Sequence, residues 1–142
     1  MENPGNKKVN KIKYTFKKEE RLCSKKIIDQ LFSEGTSFLS FPLKIIYLAV
    51  EVPSKYPVQA AFSASKKNFK RAVKRNLLKR RMRESYRLHK QILYEDCDNQ
   101  LAVFFIYVGK EIVEYKRIES AMKKALVRLQ KEMRLKNGNE NG

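Results

Sequence analysis

Eight consecutive apolar residues, Leu101 to Val108, set the strongest constraint on what this 142-residue chain can become. The run is well short of the roughly 20 residues that cross a bilayer as a helix. It is rich in β-branched and aromatic side chains, and no polar residue alternates with them. Such a segment reads as a central strand covered on both faces. Gly109 ends it. The rest of the chain must then supply flanking strands and covering helices.

Those elements can be read from periodicity. Ser24 to Glu34 is predicted as a short helix: Ser24 serves as N-cap, Ile27, Ile28, Leu31 and Phe32 recur at helical spacing, and Gly35 stops it. Pro42 introduces a strand over Leu43 to Val50. Pro53 and Pro57 bracket a turn, and Val58 to Ala64 reads as a second strand, expected to pair with the first as a hairpin. Asn68 to Leu93 is predicted helical. Tyr115 to Leu135 is an amphipathic helix with Ile118, Met122, Leu126 and Leu129 on one stripe. The order helix, strand, strand, helix, strand, helix implies an α/β two-layer sandwich with a small mixed sheet. Residues 14–135 form one domain. Residues 1–13 are expected to be a flexible basic arm, and 136–142 a disordered tail rich in Asn and Gly.

Charge indicates what the fold is for. Lys and Arg number 32 against 15 Asp and Glu, a formal net charge of +17. A folded chain with that self-repulsion is suited to a polyanion. The charge concentrates in residues 66–90, where twelve cations face one acid, Glu84. Leu78, Met82, Tyr86 and Leu93 fall along one side of this helix, and Asn76, Lys79, Arg80, Arg83, Arg87 and Lys90 along the other. An ordinary solvated helix mixes Glu with Lys to gain i,i+4 pairs. This one lacks them and calls for phosphates, each of which releases counterions when neutralised. Arg adds bidentate contacts, and Asn76 can read a base edge or a 2′-hydroxyl.

Groups for protein-based hydrolysis are scarce. The aspartates are Asp29, Asp96 and Asp98, and a two-metal nuclease needs clustered carboxylates. Glu95, Asp96 and Asp98 read as a solvated turn. His89 falls on the apolar side of the basic helix, as a packing residue. Cys23 and Cys97 read as ordinary thiols of a reducing compartment. Met1 to Lys13 is polar and basic with no apolar core, so a cytoplasmic, non-membrane location is expected. No catalytic or metal-ligating residue is assigned.

Specific motifs narrow the partner. Ser65-Lys66-Lys67 stands at a strand end, followed by Ala72-Val73-Lys74-Arg75-Asn76 and by Leu78-Lys79-Arg80-Arg81-Met82-Arg83-Glu84. Upstream lie Arg21-Leu22, then Leu31, Phe32 and Gly35. Over residues 14–130 this pattern resembles the bacterial ribonuclease P protein family. The family's Arg-Asn-Arg motif has Leu77 in third place here, one extra residue separates Lys67 from Ala72, and Ile28 replaces an aromatic. The resemblance implies a left-handed crossover through the basic helix. It also implies a protein that binds a catalytic RNA and the 5′ leader of precursor tRNA, one protein per RNA, with Mg²⁺ held mainly by the RNA, which performs the hydrolysis. By position, Lys70, Arg71, Lys74, Arg75, Asn76, Lys79, Arg80 and Arg83 are implied to contact the catalytic RNA. Phe32, Tyr47, Ser65, Lys66 and Lys67 are implied to line a leader cleft between the first helix and the sheet. The alternatives from the residues alone are a ribosomal or other structured-RNA-binding protein, and a dimeric DNA-binding module with its basic helix in the major groove.

Overall fold

A computed structural model of the chain describes residues 14–95 and 99–141, with side chains through Arg134. The expected basic arm and residues 96–98, with Asp96, Cys97 and Asp98, lie outside the described residues. A 3₁₀ turn at Lys18–Glu20 leads to α1 (Lys25–Glu34), β1 (Thr36–Ser40), β2 (Leu43–Ala49) and β3 (Val58–Ala64). Then follow α2 (Ala72–His89), α3 (Gln91–Tyr94), β4 (Leu101–Tyr107) and α4 (Tyr115–Asn141). The final helix thus continues through the Asn- and Gly-rich end that the sequence marked as a disordered tail. Among the described residues no helix is long and apolar enough to cross a membrane.

The sheet order is β1-β2-β4-β3, with β4 antiparallel to β2 and parallel to β3. The most apolar strand is therefore internal, as the sequence required. The β2–β3 hairpin does not form, because β4 lies between them. The loop joining β2 to β3 is too long for a tight turn and passes over the start of β4. There Gln100 clasps it: its Oε1 accepts from the Val52 N–H at 3.0 Å, and its Nε2 donates to the Ser54 carbonyl at 2.6 Å. The hairpin that does form joins β1 to β2, pairing Ser40 with Leu43. The sequence reading missed β1, a short edge strand in which only Phe38 is buried.

Two layers of side chains fix the helices. On one face Leu43, Ile45, Val103, Phe105 and Tyr107 meet Leu78, Met82 and Tyr86 of α2 and Ile118, Met122, Leu126 and Leu129 of α4. The other face carries a smaller cluster, in which Leu22, Ile27 and Leu31 pack on Ile46 and Ala102. α1 spans too little of that face to cover it, so Phe104 and Ile106 of the central strand remain half-buried.

Ser24 caps α1 as expected, its Oγ accepting from the Ile27 N–H at 3.3 Å. Gly35 ends α1 through close approach rather than a left-handed turn, with φ −70°. A Cβ here would sit 2.4 Å from the Leu31 carbonyl oxygen and 3.0 Å from that of Tyr47. Gly35→Ala is therefore expected to cost about 1–3 kcal/mol, the usual range for overpacking, measurable by urea denaturation.

Candidate nucleic-acid interface

The buried side of α2 determines which cations stand outside. Leu78, Met82 and Tyr86 are fully buried at four-residue spacing. Opposite them Asn76, Arg80 and Arg83 are exposed, and Lys79 is half-buried. None of these four has a side-chain hydrogen bond or ion pair among the described residues. Glu84, the one acid of the segment, is held by Arg87 at 2.6 Å. That hydrogen bond keeps its carboxyl below the ordinary range.

The row is shorter than the sequence suggested. Arg87 is occupied by Glu84 and by the Tyr14 carbonyl. Lys90 is buried and paired with Glu20, because the helix breaks there and α3 begins. Arg81 donates to the Val113 carbonyl at 2.8 Å, so Arg80 is the free arginine following Leu77. Arg75 donates from Nη1 to the Phe69 and Lys70 carbonyls at 2.9 and 2.8 Å. It shapes the entry to the row rather than standing in it. The helix starts at Ala72, not Asn68, since residues 65–71 form the turn that Arg75 clasps. His89 does more than pack: its Nε2 lies 2.8 Å from Glu119, linking α2 to α4.

Two hollows flank the row. At the start of α2, Lys70, Arg71, Lys74 and Lys110 surround about 460 Å³, with Glu111 as the one acid. Beside its middle, Arg21, Lys79 and Arg83 meet Phe16 and Phe62 around about 220 Å³. Arg21 reaches this position because it bridges to Ala60 on the β3 edge. Neither Arg21 nor Lys110 belongs to the basic segment; Arg21 stands only in the upstream Arg21-Leu22 pair of the family-like pattern, and Lys110 has no local signal.

The uncovered part of the sheet is a second candidate surface. Phe32 is 52% exposed and meets Phe104 edge-on at 5.2 Å. Pairing places Ser37, Ile46 and Phe104 in one cross-strand row, and Leu39, Lys44 and Ile106 in the next. Exposed Lys66 and Lys67 follow the end of β3, where Ser65 Oγ accepts from the Lys67 N–H at 3.1 Å. Tyr47 does not join them. Side chains alternate along β2, so Tyr47 faces α4 with Leu43 and Ile45 and is buried. Its hydroxyl donates to Glu132. Burial, and then the Glu132 carboxylate, push that hydroxyl up to about 12. On the open face, the cation that β2 contributes is Lys44. It could have been found as the one charged position in that strand, in phase with Ile46 and Leu48.

The geometry is a row of unneutralised cations beside an open face of aromatic and basic groups. The ribonuclease P family model matches residues 16–130. The chain belongs to the ribonuclease P protein family. It is 36% identical over 120 residues to the ribonuclease P protein component of Porphyromonas gingivalis, covering 82% of this chain and 87% of that one. With the component from Chlorobium phaeobacteroides it shares 39% over 106 residues, covering 67% and 73%. The ribonuclease P protein structure from Thermotoga maritima superposes with a TM-score of 0.63 at 22% identity, over 77% of this chain and 96% of that one. That from Staphylococcus aureus gives 0.59 at 19%, over 78% and 94%. These two structures bear on the fold. Family membership assigns the chain to ribonuclease P, a ribonucleoprotein nuclease of tRNA processing, and does not favour the ribosomal or DNA-binding alternatives.

Proposed function

We propose that the two surfaces divide the work of ribonuclease P. The free cations of α2, with the hollow formed by Lys70, Arg71 and Lys74, dock the catalytic RNA subunit. The open sheet face, with Phe32, Lys44, Ser65, Lys66 and Lys67, holds the single-stranded 5′ leader of precursor tRNA. Bases stack on exposed rings while cations meet phosphates. Hydrolysis belongs to the RNA and its Mg²⁺, and the protein acts in the cytoplasm with one copy per RNA. The observation that carries this reading is the unpaired state of Asn76, Lys79, Arg80 and Arg83 on one face.

Added to the ribonuclease P RNA of the same genome, the protein is expected to lower the Mg²⁺ concentration at which precursor tRNA is cleaved. Cations that neutralise phosphate replace part of the screening the metal provides. Cleavage rates that are identical with and without protein across a Mg²⁺ titration would rule this function out.

A further inference from the structure

A third basic surface lies on the opposite edge of the sheet, away from α2. β1 is an edge strand, and between it and α4 runs a groove of about 540 Å³. Arg117, Ser120, Lys124 and Arg128 line its α4 side and are all exposed. Their spacings of three and four residues place them on one stripe, spanning about 16 Å at 1.5 Å per residue. Its floor is fixed by Ser40, whose Oγ donates to the Ala121 carbonyl at 2.9 Å. At its end Phe41 is 57% exposed.

The groove has the features of a built site. Arg128 is held 4.3 Å above the Phe38 ring and 2.8 Å from Glu132, which fixes its direction. Arg117 and Lys124 have no partner among the described residues. No carboxylate lines the groove. Arg117 and Lys124, two cations without a counter-charge beside an Arg128 already paired with Glu132, disfavour an apolar peptide. An exposed ring offers a face to an unpaired base, whereas bases in a duplex are already stacked on one another.

We infer that the β1–α4 groove binds single-stranded RNA, its phosphates on Arg117, Lys124 and Arg128 and a base on Phe41. This site extends the RNA-binding function of the family to a surface separate from α2 and from the α1 side of the sheet, and it does not depend on which RNA segment those two surfaces hold.

The test uses the full chain and a fluorescent oligouridylate. R117E/K124E is compared with K123E/K131E, which changes net charge equally on neighbouring exposed positions of α4. The groove variant is expected to bind at least about fivefold more weakly than its charge-matched control, with a shallower salt dependence, since it loses two phosphate contacts. Phe41→Ala is expected to weaken binding by about tenfold through lost stacking. Oligouridylate carrying 4-thiouridine is expected to photo-crosslink at Phe41 itself, resolved by fragmentation from Phe32 and Lys44 of the same peptide, a readout that needs no variant to fold. Equal losses for the two double variants, or no crosslink at Phe41, overturn the inference. So does a wild-type dimer that R117E/K124E dissociates without altering RNA affinity, which would assign the groove to a second copy of the chain. The function proposed above fails separately, on an unchanged Mg²⁺ requirement.

Discussion

Glu20→Ala is expected to destabilise the fold by about 3–5 kcal/mol, the cost of stranding a buried charge. Glu20 is fully buried in the 3₁₀ turn, and Lys90, at the end of α2, is 4% exposed. The two form an ion pair. Tyr94 donates its hydroxyl to the same carboxylate at 2.5 Å, and the Lys17 N–H donates to Oε2 at 2.9 Å. Removing the carboxylate leaves an ammonium, a phenol and an amide to be satisfied elsewhere, with the Thr15 carbonyl and the face of the Tyr94 ring still holding Lys90. A urea titration followed by circular dichroism measures the loss. The double variant Glu20→Leu, Lys90→Met is expected to recover most of it, because well-packed apolar groups replace buried pairs at little cost. A loss below about 1 kcal/mol for Glu20→Ala would place the pair among weak surface bridges.

The same pair predicts a response to acid. Burial raises the Glu20 carboxyl, but the hydrogen bonds from Lys17, Lys90 and Tyr94 outweigh it and leave it below its ordinary 4.5. A depressed carboxyl stabilises the fold fully above its unfolded value, and that contribution fades as pH falls through the folded value. The wild type is therefore expected to lose stability below about pH 4.5 more steeply than Glu20→Gln.

This pair also marks a limit of reading the sequence. Lys90 sits in a stretch so basic that a helical projection places it with the RNA-facing row. Its partner is 70 residues away, in a turn with no periodic signal. What was legible had a local cause. The apolar run Leu101 to Tyr107 determined a central strand, and the stripe of Ile118, Met122, Leu126 and Leu129 determined the face of α4. The β2–β3 pairing was not legible, since two adjacent strand-like segments predict a hairpin unless something separates them. β4 does so, and it arrives only after α2 has returned the chain to the sheet. Tyr47 is the corresponding case within the site. The resemblance places it at the leader cleft, and strand alternation places it on the opposite face, leaving Lys44 in the position a cleft residue needs.

Charge reversal of Lys79, Arg80 and Arg83 together is expected to weaken binding to the ribonuclease P RNA by at least about a hundredfold, since charge-assisted hydrogen bonds contribute about 1.5–3 kcal/mol each. None of the three has a partner that the substitutions would strand within the described residues, so the fold should tolerate them. Arg81→Glu is the contrasting variant. It removes the bond to the Val113 carbonyl and should reduce stability more than RNA affinity. The decisive quantity is the salt dependence. Each lost phosphate contact lowers the slope of log K against log salt by about 0.7–0.9, so the triple variant should lower it by roughly 2–3. A general loss of long-range attraction would instead weaken binding equally when three exposed cations are reversed elsewhere. Reversing Lys25, Lys26 and Lys55, all exposed and away from α2, supplies that comparison. If the two triple variants bind the RNA with the same affinity and slope, α2 is only a part of a diffuse positive surface. If the α2 variant alone loses the slope, Lys79, Arg80 and Arg83 hold phosphates in fixed positions. Asn76, one turn before Arg80, then lies within reach of the same strand.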